Sequence, residues 1–281
     1  MNIFLRAYIY ISIGTSLPLY GGDVYKLTER LEGAGFFSIF NTVIGALDFV
    51  EKNGVGMKID FGTKGCYYDI SKGPNWWEYY FEPINFGSHK DAIIKEFTDG
   101  QKGPLFGLTA QFKMPKKRAH ELIQKYVKIK SRVQEKINAF VRENFKGHYV
   151  IGVHYRGTDK WLEAPKVSYE EVYHVIYSNI NRRQQVPIKI FIATDDALFL
   201  AYIKQKFPHL VCAINAIRST NGQSVHHGKR DNYKKGEDAL IDCILLSKCD
   251  LLIKMASNLS DVSIQFNPDI PVIRLNKSYY E

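Results

Sequence analysis

Val150-Ile151-Gly152-Val153-His154-Tyr155-Arg156-Gly157-Thr158-Asp159-Lys160 opens as a continuous apolar run and ends abruptly in His, Arg, Thr, Asp and Lys. An uninterrupted apolar run of this kind predicts a strand buried on both faces of a parallel sheet. Open α/β sheets bind ligands just outside the carboxyl ends of their strands. The polar cluster is therefore delivered to the edge where a ligand is expected. Arg156 brings a planar fork of donors suited to a phosphate.

Outward from this strand the chain alternates. Downstream, strands are expected at 188–194, 209–214, 250–254 and 271–275, and helices at 168–183, 197–206, 236–248 and 258–266. Ser168, with Glu171 three residues on, has the spacing of a capping box. Repeated alternation predicts an α/β fold with a parallel sheet covered by helices on both faces. Upstream, a strand at 24–31 runs through Glu32-Gly33-Ala34-Gly35 into a helix near 41–52 and a strand at 55–61, which makes a βαβ unit. Glycines here let the backbone approach a ligand, and a helix start presents N–H groups to an anion; a plain tight turn is the alternative reading. Pro115 opens one long helix predicted over 116–144, which joins two halves and stops at Gly147. The segment 73–83, with Trp76, Trp77, Tyr79, Tyr80 and Phe81, reads as a core-packing knot, or as the border of a sugar-binding cleft.

At 281 residues, with 45% hydrophobic and 24% charged residues, the chain is long enough for one large domain or two ordinary ones. Its net charge of +9 raises the question of a nucleic-acid partner. Most of the surplus sits in residues 113–136, where nine Lys and Arg face two Glu. Ala119, Leu122, Tyr126, Ile129 and Val133 recur there at helical spacing, so the basic residues read as the solvated face of an amphipathic helix. No nucleic-acid partner is expected. The four cysteines form no C-x-x-C pair, which argues against a zinc site and for a reduced, cytoplasmic protein. The apolar run at residues 7–19 follows Arg6 and is interrupted by Ser12, Gly14, Thr15 and Ser16; it leaves a signal or anchor segment, and so membrane association, as an alternative.

Parallel order brings three polar strand ends to one edge: His154 through Lys160, Thr194-Asp195-Asp196, and Ser257-Asn258 beyond the third downstream strand. Each has a plain reading beside the functional one. Asp195 and Asp196 can cap the next helix, Asp159 and Lys160 can pair at the surface, His154 can be a core histidine, and His226 and His227 can belong to a surface loop. No further ligands stand at metal-binding spacing from Asp195-Asp196.

His154-x-Arg156-x-Thr158-Asp159-Lys160, Thr194-Asp195-Asp196, and Leu240-Ile241-Asp242 with Leu246-Ser247 and Ser257-Asn258 resemble, in order, the three motifs of α-1,6-fucosyltransferases and their bacterial nodulation-type relatives. Gly33-Ala34-Gly35 and Trp77-Glu78 with Phe81-Glu82-Pro83 are similar to further segments of that family, so the resemblance spans about residues 30–265. It implies a GT-B fold: two Rossmann-like domains with parallel sheets facing across a cleft, here 1–145 on the acceptor side and 146–281 for the nucleotide sugar. It implies inverting, metal-independent transfer of fucose from GDP-fucose to a hydroxyl of an oligosaccharide or glycoconjugate, with no cofactor beyond the donor. Arg156 matches the arginine that grips the β-phosphate, and His154 and Asp242 match residues near the guanine. Thr158, Asp159, Thr194, Asp195, Asp196, Ser257 and Asn258 match other donor contacts, and Gly33 and Gly35 the turn near the pyrophosphate. Lys160 is expected to share the leaving-group charge with Arg156. Glu163 falls where the family has its proposed base, although the spacing from Lys160 is one residue shorter here. The alternatives are another nucleotide sugar, α-1,2 linkage, or a glycan- or nucleotide-binding module without turnover.

Overall fold

The computed structural model describes residues 23–28, 34–63, 65–87, 93–96, 114–158, 162–183, 185–225 and 231–279. The run at 7–19, Gly33, Asp159, Lys160, His226 and His227 lie outside them. No helix among the described residues is long and apolar enough to cross a membrane.

The second half carries a five-stranded sheet in the order β7-β6-β5-β8-β9, parallel throughout: β5 (Tyr149–Tyr155), β6 (Ile188–Thr194), β7 (Val211–Cys212), β8 (Leu251–Lys254) and β9 (Val272–Arg274). The strand order reverses at β5, where the next crossover goes to β8 on its other side, and such a switch point opens a crevice at the carboxyl ends. Residues 151–155 of β5 are all buried, as their apolar run requires. The first half carries β1 (Asp23–Leu27), β2 (Gly56–Ile59), β3 (Asn85–Phe86) and β4 (Ile93–Glu96) in the order β3-β2-β1-β4, with only the two-residue β3 antiparallel.

The helices are α1 (Phe36–Asn53), α2 (Lys116–Tyr126), α3 (Ser131–Asn144), α4 (Tyr169–Asn181), α5 (Ala197–Lys206), α6 (Asn232–Ser247) and α7 (Asn258–Phe266). The single helix expected over 116–144 is two. At the break, Lys130 N donates to Tyr80 O and Glu82 N to Lys128 O, both at 2.8 Å. The chain at 127–130 thus satisfies its backbone groups against the aromatic knot instead of along a helix. The knot itself is core: Trp76, Trp77, Tyr80 and Phe81 are each 1% exposed or less. Trp77 stacks on Phe81 at 4.2 Å between ring centroids, a pairing worth ~0.5–1.5 kcal/mol beyond its buried area. One apolar cluster runs from α1 and the knot through α2 and α3 into α6 and α7, so the halves share a core.

Four basic residues of the 113–136 stripe are paired within the fold. Arg118 reaches Asp48 and Glu51 on α1, Lys125 also reaches Glu51, Lys130 pairs with Glu82, and Lys136 with Glu237.

Ser168 caps α4 through the full reciprocal box with Glu171. Ser168→Ala is expected to cost about 1 kcal/mol, read as a lower urea midpoint with unchanged slope.

Candidate nucleotide-sugar cleft

β5 and β6 end side by side, with Tyr155 in register with Thr194; on the other flank His154 is in register with Lys254 of β8. The chain leaves β5 into Arg156-Gly157-Thr158, and Asp195 at the end of β6 holds all three. Its Oδ2 accepts from Arg156 Nε at 2.9 Å and from Thr158 Oγ1 at 2.6 Å, and its Oδ1 accepts from Gly157 N at 2.9 Å. Gly157 has no room for a side chain: a Cβ there would sit 2.8 Å from Asp196 Cβ. One carboxylate therefore fixes the guanidinium, the turn and the hydroxyl together.

Asp196 does different work. It caps α5, accepting from Leu198 N at 2.9 Å and Phe199 N at 3.2 Å, and it also accepts from Tyr169 Oη at 2.5 Å. The capping role read from the sequence thus belongs to Asp196, while Asp195 braces the loop.

A cleft open to solvent lies at this edge, and it brings His154, Arg156, Thr194, Asp195 and Asp242 together. Its remaining lining includes Lys235, Asp238 and Ala239 of α6, Ala216 and Ile217 from the loop after β7, and Leu259 in the first turn of α7. Lys235 and Asp238 went unread in the sequence: Lys235 falls just before the helix expected over 236–248, and Asp238 falls inside it. Residues 235, 238 and 242 repeat at i, i+3 and i+7, which places them on one helical face and was the available signal. Arg156 also lines a neighbouring pocket, with Tyr155, Lys166, Tyr169 and Asp196.

Asp242 is the electrostatic centre of the cleft. It is 6% exposed, and its Oδ1 is buried and accepts no hydrogen bond within the structure. Burial raises its carboxyl well above the ordinary value, against the opposing pull of the Arg218 guanidinium. A buried acceptor left open on a cleft wall costs about 1–3 kcal/mol, and a ligand with N–H donors recovers that cost.

The other expected residues are dispersed. Ser257 precedes α7 in extended conformation without a side-chain cap bond, and Asn258 begins that helix beside the lining residue Leu259. Gly35 caps α1 in the first half, where the Phe36 amide donates to Tyr67 Oη at 2.7 Å. Glu163 is exposed, and its backbone carbonyl accepts from Tyr279 N and Ser278 Oγ.

The family model described as Nodulation protein Z (NodZ) matches residues 111–266, more than half of the chain and all of the residues that build this cleft. The chain belongs to the NodZ family. It is 29% identical over 144 residues to Nodulation protein Z of Bradyrhizobium diazoefficiens, a match covering 48% of this chain and 39% of that protein. To Nodulation protein Z of Sinorhizobium fredii it is 28% identical over 136 residues, 46% of this chain and 42% of that one. These matches span about two fifths of the length of the curated NodZ proteins. The crystal structure of NodZ α-1,6-fucosyltransferase co-crystallized with GDP aligns with a TM-score of 0.58 at 18% identity, over 90% of this chain and 95% of that one. That of POFUT1 in complex with GDP aligns with a TM-score of 0.54 at 12% identity, over 90% and 99%. The chain thus has the GT-B fold, with two Rossmann-like sheets.

Asp195→Ala frees the guanidinium and the turn together. If the cleft turns over a nucleotide-sugar donor, kcat/KM is expected to fall ~10-fold, which is about 1.4 kcal/mol of transition-state stabilisation. Steady-state kinetics at varied donor concentration check it.

Proposed function

We propose that this protein transfers fucose from GDP-fucose to a hydroxyl of a glycan, with inversion at the anomeric carbon. The observation that carries the reading is the open, buried Oδ1 of Asp242 on the wall of a cleft whose other wall presents Arg156. A carboxylate can accept from guanine N1–H and its exocyclic amine together, a pair of donors that adenine and uracil lack. A guanidinium fixed at a strand end suits the β-phosphate. The NodZ and POFUT1 structures that hold GDP support the same nucleotide.

In the reaction, the acceptor oxygen attacks the anomeric carbon from the face opposite the nucleotide. The carbon–oxygen bond to the β-phosphate breaks, and its electron pair stays on GDP. Arg156, with Lys160 beside it in sequence, meets the charge growing on the diphosphate, and amides at the starts of α5 and α7 point partial positive charge to the same edge. A carboxylate, Glu163 by preference, takes the acceptor proton; it must come within about 3 Å of that hydroxyl in the complex. Thr158, Thr194, Asp195, Asp196, Ser257 and Asn258 serve the donor side, and the family resemblance gives Asp159, Gly33 and Gly35 the same role. The division of labour falls at residue 145/146, with the acceptor on the side of 1–145.

Incubation with GDP-fucose and a chitin oligosaccharide or N-glycan core tests the reading. It predicts release of GDP and an α-fucosylated product, with the anomeric configuration read from the proton coupling constant. Release of GDP without transfer to any glycan would contradict it. Because Arg156 and its neighbours meet the leaving-group charge, transfer is expected to persist in EDTA. Full inhibition reversed by Mg²⁺ would contradict that part of the account.

A further inference from the structure

α6 carries the base-recognising side of the cleft, and its first turn is seated against the first half of the molecule. Tyr80, in the aromatic knot, is fully buried. Its hydroxyl donates to Tyr233 O at 2.8 Å, in the first turn of α6. Its ring stacks on the Tyr233 ring at 5.5 Å and 17°. Gly236 lies against it so closely that a Cβ would press on the hydroxyl and come 2.6 Å from Tyr80 Cζ. This explains a glycine inside a helix, where it costs about 1 kcal/mol relative to alanine. Three further ties hold the same turn. Asn232 Nδ2 donates to Tyr68 O at 2.9 Å, Tyr233 Oη to Glu237 at 2.5 Å, and Lys136 Nζ to Glu237 at 2.7 Å.

The helix thus has two working faces. Residues 233 and 236 meet the knot, while 235, 238 and 242 face the cleft. Arg156 stands on the opposite wall, held by Asp195 at the sheet edge. The separation of Asp242 from Arg156 therefore depends on how Tyr80 seats the first turn of α6, together with the packing of that helix on α7, β5 and β6.

We propose that Tyr80 is a positioning residue for guanine recognition: it touches no ligand, and it sets the distance between the base-binding carboxylate on α6 and the phosphate-binding arginine on β5. This rests on the donor reading given above. A shift of about 1 Å at such a site can cost up to ~100-fold.

The test is titration calorimetry of the full chain with GDP and ADP, comparing wild type with Tyr80→Phe and Gly236→Ala. Tyr80→Phe keeps the ring and removes only the bond to Tyr233 O. It is expected to weaken GDP binding ~3–10-fold, and Gly236→Ala by ~10-fold or more. ADP, which relies on the phosphate side alone, is expected to bind all three proteins alike, so that GDP-over-ADP selectivity narrows. A general loss of stability would lower both affinities together and would overturn the positioning role. Unchanged GDP affinity in Tyr80→Phe would also overturn it, whether or not Gly236→Ala folds. Wild-type protein that binds neither nucleotide would instead defeat the donor reading, and this inference with it.

Discussion

Arg156→Ala is expected to lose at least ~100-fold in transfer rate while keeping its near-UV circular dichroism, the scale seen when one preorganised donor to a developing charge is removed. Three features of the structure make the loss that large. Arg156 sits at the carboxyl end of the central strand beside the switch point, where ligands of such sheets bind. Its Nε is tied to Asp195 at 2.9 Å, so the guanidinium is oriented before the donor arrives, and little is spent on ordering it during the reaction. Its other nitrogens belong to a head group that lines the cleft. Arg156→Lys keeps the charge but loses the fork, and it is expected to recover only part of the rate. The substitution leaves the α6 wall untouched, so GDP selectivity over ADP is expected to survive. Near-normal turnover in Arg156→Ala would remove the phosphate role.

Asp242→Asn is expected to do two opposite things. GDP affinity falls ~100-fold or more, because an amide cannot accept two N–H bonds as a carboxylate does and presents donors of its own. The ligand-free protein, in contrast, becomes more stable at neutral and alkaline pH. The sign follows from the raised pKa of Asp242. The folded state binds a proton more tightly than the unfolded chain, so stability is full below the ordinary carboxylate value of about 4 and is lost as pH rises through the elevated one. Asn removes that loss. GDP binding runs the other way in the wild type, because guanine needs the ionised carboxylate. Affinity is therefore expected to drop as pH falls through the raised Asp242 value, with Arg218, Lys234 and Asp238 modulating where. Thermal melts and GDP titrations from pH 5 to 8 on both proteins check the pair. A wild-type Tm indifferent to pH, together with GDP affinity indifferent to the substitution, would show that Asp242 is only a buried core carboxylate.

The second half was legible because its signals are local. β6, α5 and α7 have the bounds their apolar runs and polar ends predict: Ile188–Thr194, Ala197–Lys206 and Asn258–Phe266. Ser168 and Asp196 cap as their spacing suggests. What escaped the sequence is set by distant contacts. The helical period continues through 127–130, yet those backbone groups pair with Tyr80 and Glu82 from a segment nearly fifty residues earlier. Gly236 reads as a helix start until Tyr80 is seen against it; α6 begins at Asn232, and the later expected start left Lys235 in a loop and out of the site. α1 begins at Phe36 rather than near 41, because Tyr67 supplies the cap that its own sequence lacks. The strands β3 and β4 are short pieces, two and four residues long, whose period is too brief to read.

The claim on which the rest depends is that the cleft between Arg156 and α6 is a guanine-nucleotide site. A thermal-shift comparison of GDP, GDP-fucose, UDP and ADP at equal concentration addresses it most directly. A ligand present at 100 times its Kd stabilises by about 2.7 kcal/mol, enough to move Tm by a few degrees. The account predicts clear upward shifts with GDP and GDP-fucose and much smaller ones with UDP and ADP. Equal shifts with all four, or a larger shift with UDP or ADP, would contradict it.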